Sequence, residues 1–201
     1  MNARRAAFLD RDGVINYDRG YVHRPEQFEF VPGVFEAVRE LRRLEFVPVI
    51  VTNQSGIGRG IYSASDFDSL TTWMMQRFAS EGAAIGAVYY CPHHPSDALD
   101  SYRVACDCRK PAPGMLFAAA RDLNLDLPRS TMFGDRTSDL EAAQAAGIEG
   151  RFLLGTDGAL APDAAHPALP LPSPTYSDLL AAVSSPQFQQ LAQVSMMKEA
   201  I

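Results

Sequence analysis

The chain has 201 residues, 47% hydrophobic and 21% charged, a composition that can bury a core and excludes global disorder. That length suits one α/β domain with room for an inserted loop and is too short for two large domains. Eighteen Lys and Arg against 24 Asp and Glu leave a net charge of −6, which argues against nucleic acid or an acidic membrane surface as the main partner. An anionic substrate remains compatible, because a site can be locally positive on an acidic protein. No apolar run is long enough to cross a bilayer, and Asp10 interrupts any signal-peptide core behind Arg4 and Arg5. The expectation is a soluble, cytoplasmic, monomeric protein with no nucleic-acid or membrane partner.

Ala6-Ala7-Phe8-Leu9 reads as a buried parallel strand that ends in Asp10. Asp10-Arg11-Asp12-Gly13 then sets two carboxylates two residues apart. One can serve as nucleophile and metal ligand and the other as general acid and base, with Gly13 allowing a sharp turn. A plain turn is the alternative. Pro32-Gly33 opens a helix with Val34, Val38, Leu41 and Leu44 on one face; the Arg39, Arg42 and Arg43 group falls on its solvated side.

Residues 46–51 form a second buried strand ending at Thr52-Asn53, where a hydroxyl and backbone N–H groups can bind a phosphoryl oxygen. Ser55-Gly56-Ile57-Gly58-Arg59-Gly60 is glycine-rich but lacks the Walker ending, so it reads as a mobile, ligand-contacting loop. Ser63 or Ser65 caps a helix running to about Ser80, with Phe67, Leu70, Met74 and Phe78 on one stripe and Trp73 at least half-buried. Residues 85–90 read as a third strand.

The connection from Cys91 to Lys110 has no clear period. It holds all three cysteines of the chain, as Cys91-Pro92-His93 and Cys106-Asp107-Cys108. Three thiolates and one imidazole form a closed tetrahedral zinc set with no open position, hence structural. A disulfide or unconnected core cysteines are the alternatives, and His94 could stand in for His93. Arg109-Lys110 follows directly, and a lysine can neutralise charge on a transferring phosphoryl group. A helix is expected from 113 to about 123, a fourth strand at 131–133 ending in Gly134-Asp135, a helix over 138–146 stopped by Gly147, and a last strand at 151–154. Asp135 can ligate Mg²⁺. Asp139 can ligate it too, orient its shell, or simply be a favourable acid in a first helical turn. Beyond Gly155, Pro162, Pro167, Pro170, Pro172 and Pro174 mark an irregular extension over 161–201, with a short helix near 176–183 and a frayed tail from 184. His23 and His166 show no partners.

Strand and helix alternate, so the fold class is α/β, a three-layer arrangement with a mostly parallel sheet and helices on both faces. Ligands bind such sheets at the carboxyl ends of the strands, which is where Asp10, Thr52 and Asp135 fall. In this order, D-x-D-G, T-N, K-P and G-D-x₃-D resemble the four motifs of the haloacid dehalogenase (HAD) superfamily, and Asp12 points to its phosphatase branch. The resemblance implies a HAD-like Rossmannoid domain over 1–160 with the 91–110 zinc loop inserted. Phe8 to Asn16, Gly20-Tyr21-Val22, Thr52 to Gly60, Cys91 to Pro95 and Cys106 to Pro111 are similar to the D-glycero-D-manno-heptose-1,7-bisphosphate 7-phosphatase family over about 6–155. A histidinol-phosphate phosphatase shares the zinc loop, but Val14-Ile15-Asn16 favours the heptose group.

That resemblance implies a Mg²⁺-dependent, zinc-stapled phosphomonoesterase acting on a small sugar bisphosphate in nucleotide-activated heptose (lipopolysaccharide core or surface polysaccharide) synthesis. Asp10 would attack phosphorus, Asp12 would act as acid and base, and Thr52 and Lys110 would stabilise the phosphoryl group. Mg²⁺ would be held by Asp10, Asp135 and the main-chain carbonyl of Asp12. Arg109, Asp18 to Tyr21 (with Arg19 and Gly20) and Asn53-Gln54-Ser55 would line the sugar pocket. Arg136 stands where the family commonly has Lys, which bears on substrate contact. A phosphatase of another small phosphoester and a non-catalytic sugar-phosphate-binding relative are the competing readings.

Overall fold

The computed structural model describes residues 3–155 and 175–197. Five parallel strands, β1 (Ala6–Leu9), β2 (Val47–Asn53), β3 (Ala87–Cys91), β4 (Thr131–Gly134) and β5 (Gly150–Leu153), form one sheet in the order β3-β2-β1-β4-β5. Pleating sends alternate residues to opposite faces. Ala7, Leu9, Ile50, Phe133 and Phe152 join one core, while Ala6, Phe8, Val49, Val51 and Met132 join the other.

The first core is covered by α1 (Val34–Arg43), α3 (Ala64–Ser80), α6 (Leu179–Ser184) and α7 (Pro186–Met197). The second is covered by α4 (Gly114–Leu123) and α5 (Thr137–Ala145). Ser63 starts α3: its hydroxyl accepts from the Asp66 N–H and the Asp66 carboxylate accepts from the Ser63 N–H, a reciprocal capping box. Strand order reverses across β1, so the crevice beyond the ends of β1, β2 and β4 is the natural ligand position.

Two expectations are corrected. The glycine-rich stretch after Gln54 is a short helix, α2 (Ser55–Gly58), whose Gly56, Ile57 and Gly58 are buried; its missing side chains let the backbone pack closely instead of leaving a free loop. Residues 186–197, expected to belong to a frayed tail, form a helix. Pro186 occupies the first position of α7, where its fixed φ suits helix initiation, and Phe188 and Ala192 are fully buried one turn apart. The short helix expected near 176–183 begins at Leu179, and Tyr176 instead makes a parallel bridge to Leu154. The domain boundary near 160, the prolines at 162–174 and His166 lie outside the described residues.

Phe188 fixes α7 to the sheet through ring contacts with Phe46, Phe133 and Phe152 at centroid distances of 5.6, 5.5 and 5.6 Å. The buried Arg5 guanidinium donates to the Ala192 carbonyl at 2.7 Å and to the Leu44 carbonyl. Phe188→Ala should therefore lower unfolding free energy by about 3–5 kcal/mol in urea titrations; a loss under about 1 kcal/mol would mean that α7 contributes little to the core.

Candidate active site

Asp10 leaves β1 with its N–H bonded to the Phe133 carbonyl at 3.0 Å. The chain then turns through Gly13 at φ +86°, where a Cβ would lie 2.2 Å from Asp135 Oδ2. Only glycine lets the two-aspartate turn close against the end of β4. Lys110 arrives from the 91–110 connection. Asn53 clamps its main chain, donating to the Lys110 carbonyl at 3.0 Å and accepting from the Lys110 N–H at 3.1 Å. Lys110 Nζ donates to the Val51 carbonyl at 2.7 Å and pairs with Asp10 Oδ1 at 2.9 Å and Asp139 Oδ1 at 2.6 Å. Asp10, Asp135 and Asp139 each offer an oxygen within 4.8 Å of the other two.

These carboxylates outnumber the cation buried among them. Burial pushes Asp10 up to about 7, against the pull of Lys110 and with help from the Asp139 and Asp12 charges. Burial, and then the Asp10 and Asp139 charges, push Asp135 up to about 8. Burial draws Lys110 down, but Asp10 and Asp139 outweigh it and hold the ammonium charged well above its ordinary value. Asp135 Oδ1 is buried and has no hydrogen-bond partner among the described residues. Hard oxygen donors, excess negative charge and an orphaned carboxylate oxygen suit a small divalent cation such as Mg²⁺. Asp139 is otherwise satisfied, by Lys110 and by the Arg136 N–H at 3.1 Å.

Asp12 sits in a cradle of donors. Arg11 Nη2 reaches both of its oxygens at 3.0 and 2.9 Å, Asn16 Nδ2 reaches Oδ1 at 2.9 Å, and Gln54 Nε2 reaches Oδ2 at 3.1 Å. Arg11, Asn16 and Tyr62 escaped the sequence reading. An arginine between two aspartates looks like a solvated turn residue, yet Arg11 is only 1% exposed and also donates to the Val22 carbonyl. The i, i+4 spacing of Asp12 and Asn16 was a usable signal; the Tyr62 contact had none.

A cavity of about 790 Å³ opens over these groups. Asp10, Asp12, Asp18, Gly20, Tyr21, Thr52, Asn53, Gln54, Ser55, Arg109, Lys110, Arg136 and Asp139 line it, together with Arg59 of the glycine-rich stretch, His94, and Tyr62, which the sequence reading did not select. Arg19 is turned away: it pairs with Glu29 and lies over the Tyr17 ring at 5.9 Å. Arg136 reaches across the mouth to Asp18 at 2.9 Å. His23 stacks on Tyr62 with centroids 5.0 Å apart.

Cys91, His93, Cys106 and Cys108 converge beside this cavity. All four ligand atoms lie within 4.8 Å of one another, and five of the pairs are 2.9 to 3.6 Å apart, close enough to converge on one tetrahedral zinc ion. All three cysteines are free thiols. His94 faces away, accepting from the Asp97 N–H at 2.9 Å. Arg109 Nη1 donates to the His93 carbonyl at 3.2 Å, so the cluster also orients the basic pair that follows it.

A HAD-hydrolase-like family model matches residues 107–182. The chain is 50% identical over 154 residues to the D-glycero-beta-D-manno-heptose-1,7-bisphosphate 7-phosphatase of Vibrio cholerae serotype O1, covering 77% of this chain and 83% of that one. It is 46% identical over 163 residues to the protein of the same name from Escherichia coli K12, covering 81% and 85%. Among solved structures, the D,D-heptose 1,7-bisphosphate phosphatase from B. bronchiseptica, complexed with magnesium and phosphate, is similar with a TM-score of 0.75 at 33% identity, covering 94% of this chain and 99% of that one. The chain belongs to the heptose-1,7-bisphosphate 7-phosphatase family of HAD-like hydrolases and is a phosphatase. No helix among the described residues is long and apolar enough to cross a membrane.

With Asp10 and Asp135 raised, the metal-free folded protein holds protons that the unfolded chain gives up from about pH 4. Their contribution to stability is present below that pH and is lost as pH rises through about 7 to 8. A divalent cation competes with those protons. The melting-temperature gain on adding Mg²⁺ should therefore be larger at about pH 8.5 than at about pH 6, with the metal-free melting point lower at the higher pH; equal gains at both would contradict the charge balance described. Separately, Cys108→Ser should reduce bound zinc, measured by atomic emission on the purified protein, and lower the melting temperature. Unchanged zinc content would exclude Cys108 as a ligand.

Proposed function

We propose that the chain removes the 7-phosphate of D-glycero-beta-D-manno-heptose 1,7-bisphosphate through an aspartyl-phosphate, within nucleotide-activated heptose synthesis. The observation that carries the reading is the meeting of Asp10, Asp12, Thr52 and Lys110 at one strand-end crevice, in a chain whose relatives carry that enzyme's name.

Asp10 is the nucleophile. Its Oδ1 is held by the Arg11 N–H at 2.7 Å and by Lys110, leaving Oδ2 without a hydrogen bond among the described residues. One Asp10 oxygen forms a bond to phosphorus as the bond from phosphorus to the sugar oxygen breaks, and protonated Asp12 gives its proton to that departing oxygen. Asp12, now a carboxylate, takes a proton from water; the water oxygen attacks phosphorus, and Asp10 leaves as a carboxylate with release of inorganic phosphate. Lys110 and the Thr52 hydroxyl face the phosphoryl oxygens where negative charge concentrates.

Asp10, Asp135 and the Asp12 main-chain carbonyl would hold Mg²⁺, with Asp139 behind them. The cation supplies neutralisation of phosphoryl charge and in-line alignment. Cys91, His93, Cys106 and Cys108 would hold a structural zinc that fixes Arg109 and Lys110. Asp18, Gly20, Tyr21, Ser55, Arg109 and Arg136 would contact the sugar and its second phosphate, and a cavity of this size accommodates a sugar bisphosphate. All these groups come from one chain, consistent with a monomeric enzyme of the cytoplasm built on a phosphatase domain at 1–160 and a C-terminal extension at 161–201.

The test is phosphate release with Mg²⁺ from both heptose-1,7-bisphosphate anomers, histidinol phosphate and simple sugar phosphates. Release should be fastest from the beta anomer and abolished in Asp10→Asn. Asp12→Asn should slow turnover by about a hundredfold or more, with the fold intact by circular dichroism. A preference for histidinol phosphate would overturn the substrate, and persistent turnover in Asp10→Asn would overturn the mechanism.

A further inference from the structure

We infer that Gln54 is a positioning residue for this hydrolysis and not a sugar ligand: its buried amide directs the Thr52 hydroxyl proton and holds the Asp12 carboxylate, and Tyr62 anchors the amide through its oxygen. The inference rests on the phosphatase reading of the site.

Gln54 is 3% exposed. Its Nε2 carries two hydrogens, and both have partners in the protein: Thr52 Oγ1 at 2.8 Å and Asp12 Oδ2 at 3.1 Å. No amide hydrogen is left for a sugar hydroxyl. Its Oε1 accepts from the Tyr62 hydroxyl. The opposite amide orientation would set Oε1 against the Asp12 carboxylate, oxygen against oxygen, and that repulsion fixes the assignment.

Tyr62 supports this orientation by donating its hydroxyl hydrogen to Oε1. It is 6% exposed, and burial pushes its phenol up to about 12. Its ring is stacked on His23 at an interplanar angle of 4°. It also lies so close to Gly56 that a Cβ there would come within 2.2 Å of the ring. The turn through α2 thus brings Tyr62 back over Gln54, eight residues earlier.

The consequence for Thr52 follows from counting protons. A hydroxyl has one hydrogen. With Gln54 donating to Thr52 Oγ1, that hydrogen is left to point into the cavity that Thr52 and Asp10 share. Without Gln54, Thr52 Oγ1 and Asp12 Oδ2 lose the donor they share, and both the phosphoryl donor and the acid lose their orientation. One neutral amide therefore ties a residue that stabilises the phosphoryl group to the residue that moves the proton.

The experiment compares kcat and KM for wild type, Gln54→Leu, Gln54→Glu and Tyr62→Phe on two esters: the heptose bisphosphate and the phosphate of a plain primary alcohol such as ethanol. Gln54→Leu should lower kcat about 10- to 100-fold with KM changed less than about threefold, by the same factor on both esters. Gln54→Glu keeps the acceptor for Tyr62 but faces Asp12 with a carboxyl group, and should be at least as slow. Tyr62→Phe, which removes one hydroxyl and preserves the ring stack, should lower kcat about 3- to 10-fold on both esters, and decides the matter if Gln54→Leu does not fold. A rise in KM with kcat held, or a loss confined to the sugar substrate, would make Gln54 a sugar ligand and overturn the inference. Variants matching an active wild type would overturn it while leaving the phosphatase reading intact; a wild type releasing phosphate from neither ester would overturn both.

Discussion

Lys110 holds one ammonium group between two buried carboxylates, with a third carboxylate beside them. A lone buried ion of either sign costs several kcal/mol, and pairing offsets that cost only when geometry and hydrogen bonds are good. Lys110 meets the condition through Asp10, Asp139 and the Val51 carbonyl. Asp135 does not, and its raised pKa and orphaned oxygen are the residue of that imbalance. A site short of positive charge suits a divalent cation, because the same deficit that disfavours bare carboxylates favours a metal.

Much of the surrounding fold serves to bring that lysine in. The 91–110 connection cannot hold its place by core burial: most of its side chains are partly or fully exposed. The Cys and His side chains converge at its two ends, the last only two residues before Lys110, and Asn53 clamps the lysine's main chain from the end of β2. On the other side Gly13 allows the Asp10–Asp12 turn to touch Asp135. The sheet supplies direction: strands β1, β2 and β4 are hydrogen-bonded neighbours, so residues at their carboxyl ends are neighbours however far apart they lie in sequence. The second carboxylate is managed differently. Asp12 is paired with Arg11 and two amides rather than with Lys110, which in the proposed mechanism separates the group that moves a proton from the group that attacks.

The alternation of apolar runs with helical stripes made the sheet and its two helical layers legible before any coordinates, since strand and helix periods differ and each buried face must be covered. The acids at strand ends were legible for a related reason: a charged residue closing a buried run must lie where the sheet opens to solvent. The cysteine and histidine pairs could be read because no other simple arrangement uses three thiols and an imidazole at that spacing. Helix α7 was not legible. Its apolar content is thin, and Phe188 makes sense only against Phe46, just before β2, and Phe133 and Phe152 on distant strands. Arg19 shows the converse: adjacency to pocket-lining Asp18 and Gly20 suggested a ligand contact, but Glu29 lies on the other side and draws it away.

The amino-acid sequence by itself determined the fold class and the acids, threonine and lysine that meet at the strand ends, because those follow from local periodicity and from residue type. Tertiary structure alone decided how those groups divide their hydrogen bonds. That Arg11 is buried against Asp12, that Gln54 spends both amide hydrogens inside the protein and that Tyr62 donates to its oxygen depend on side chains converging from separate turns. A hydrogen bond is set by distances of tenths of an ångström, and no pattern along the chain carries that information.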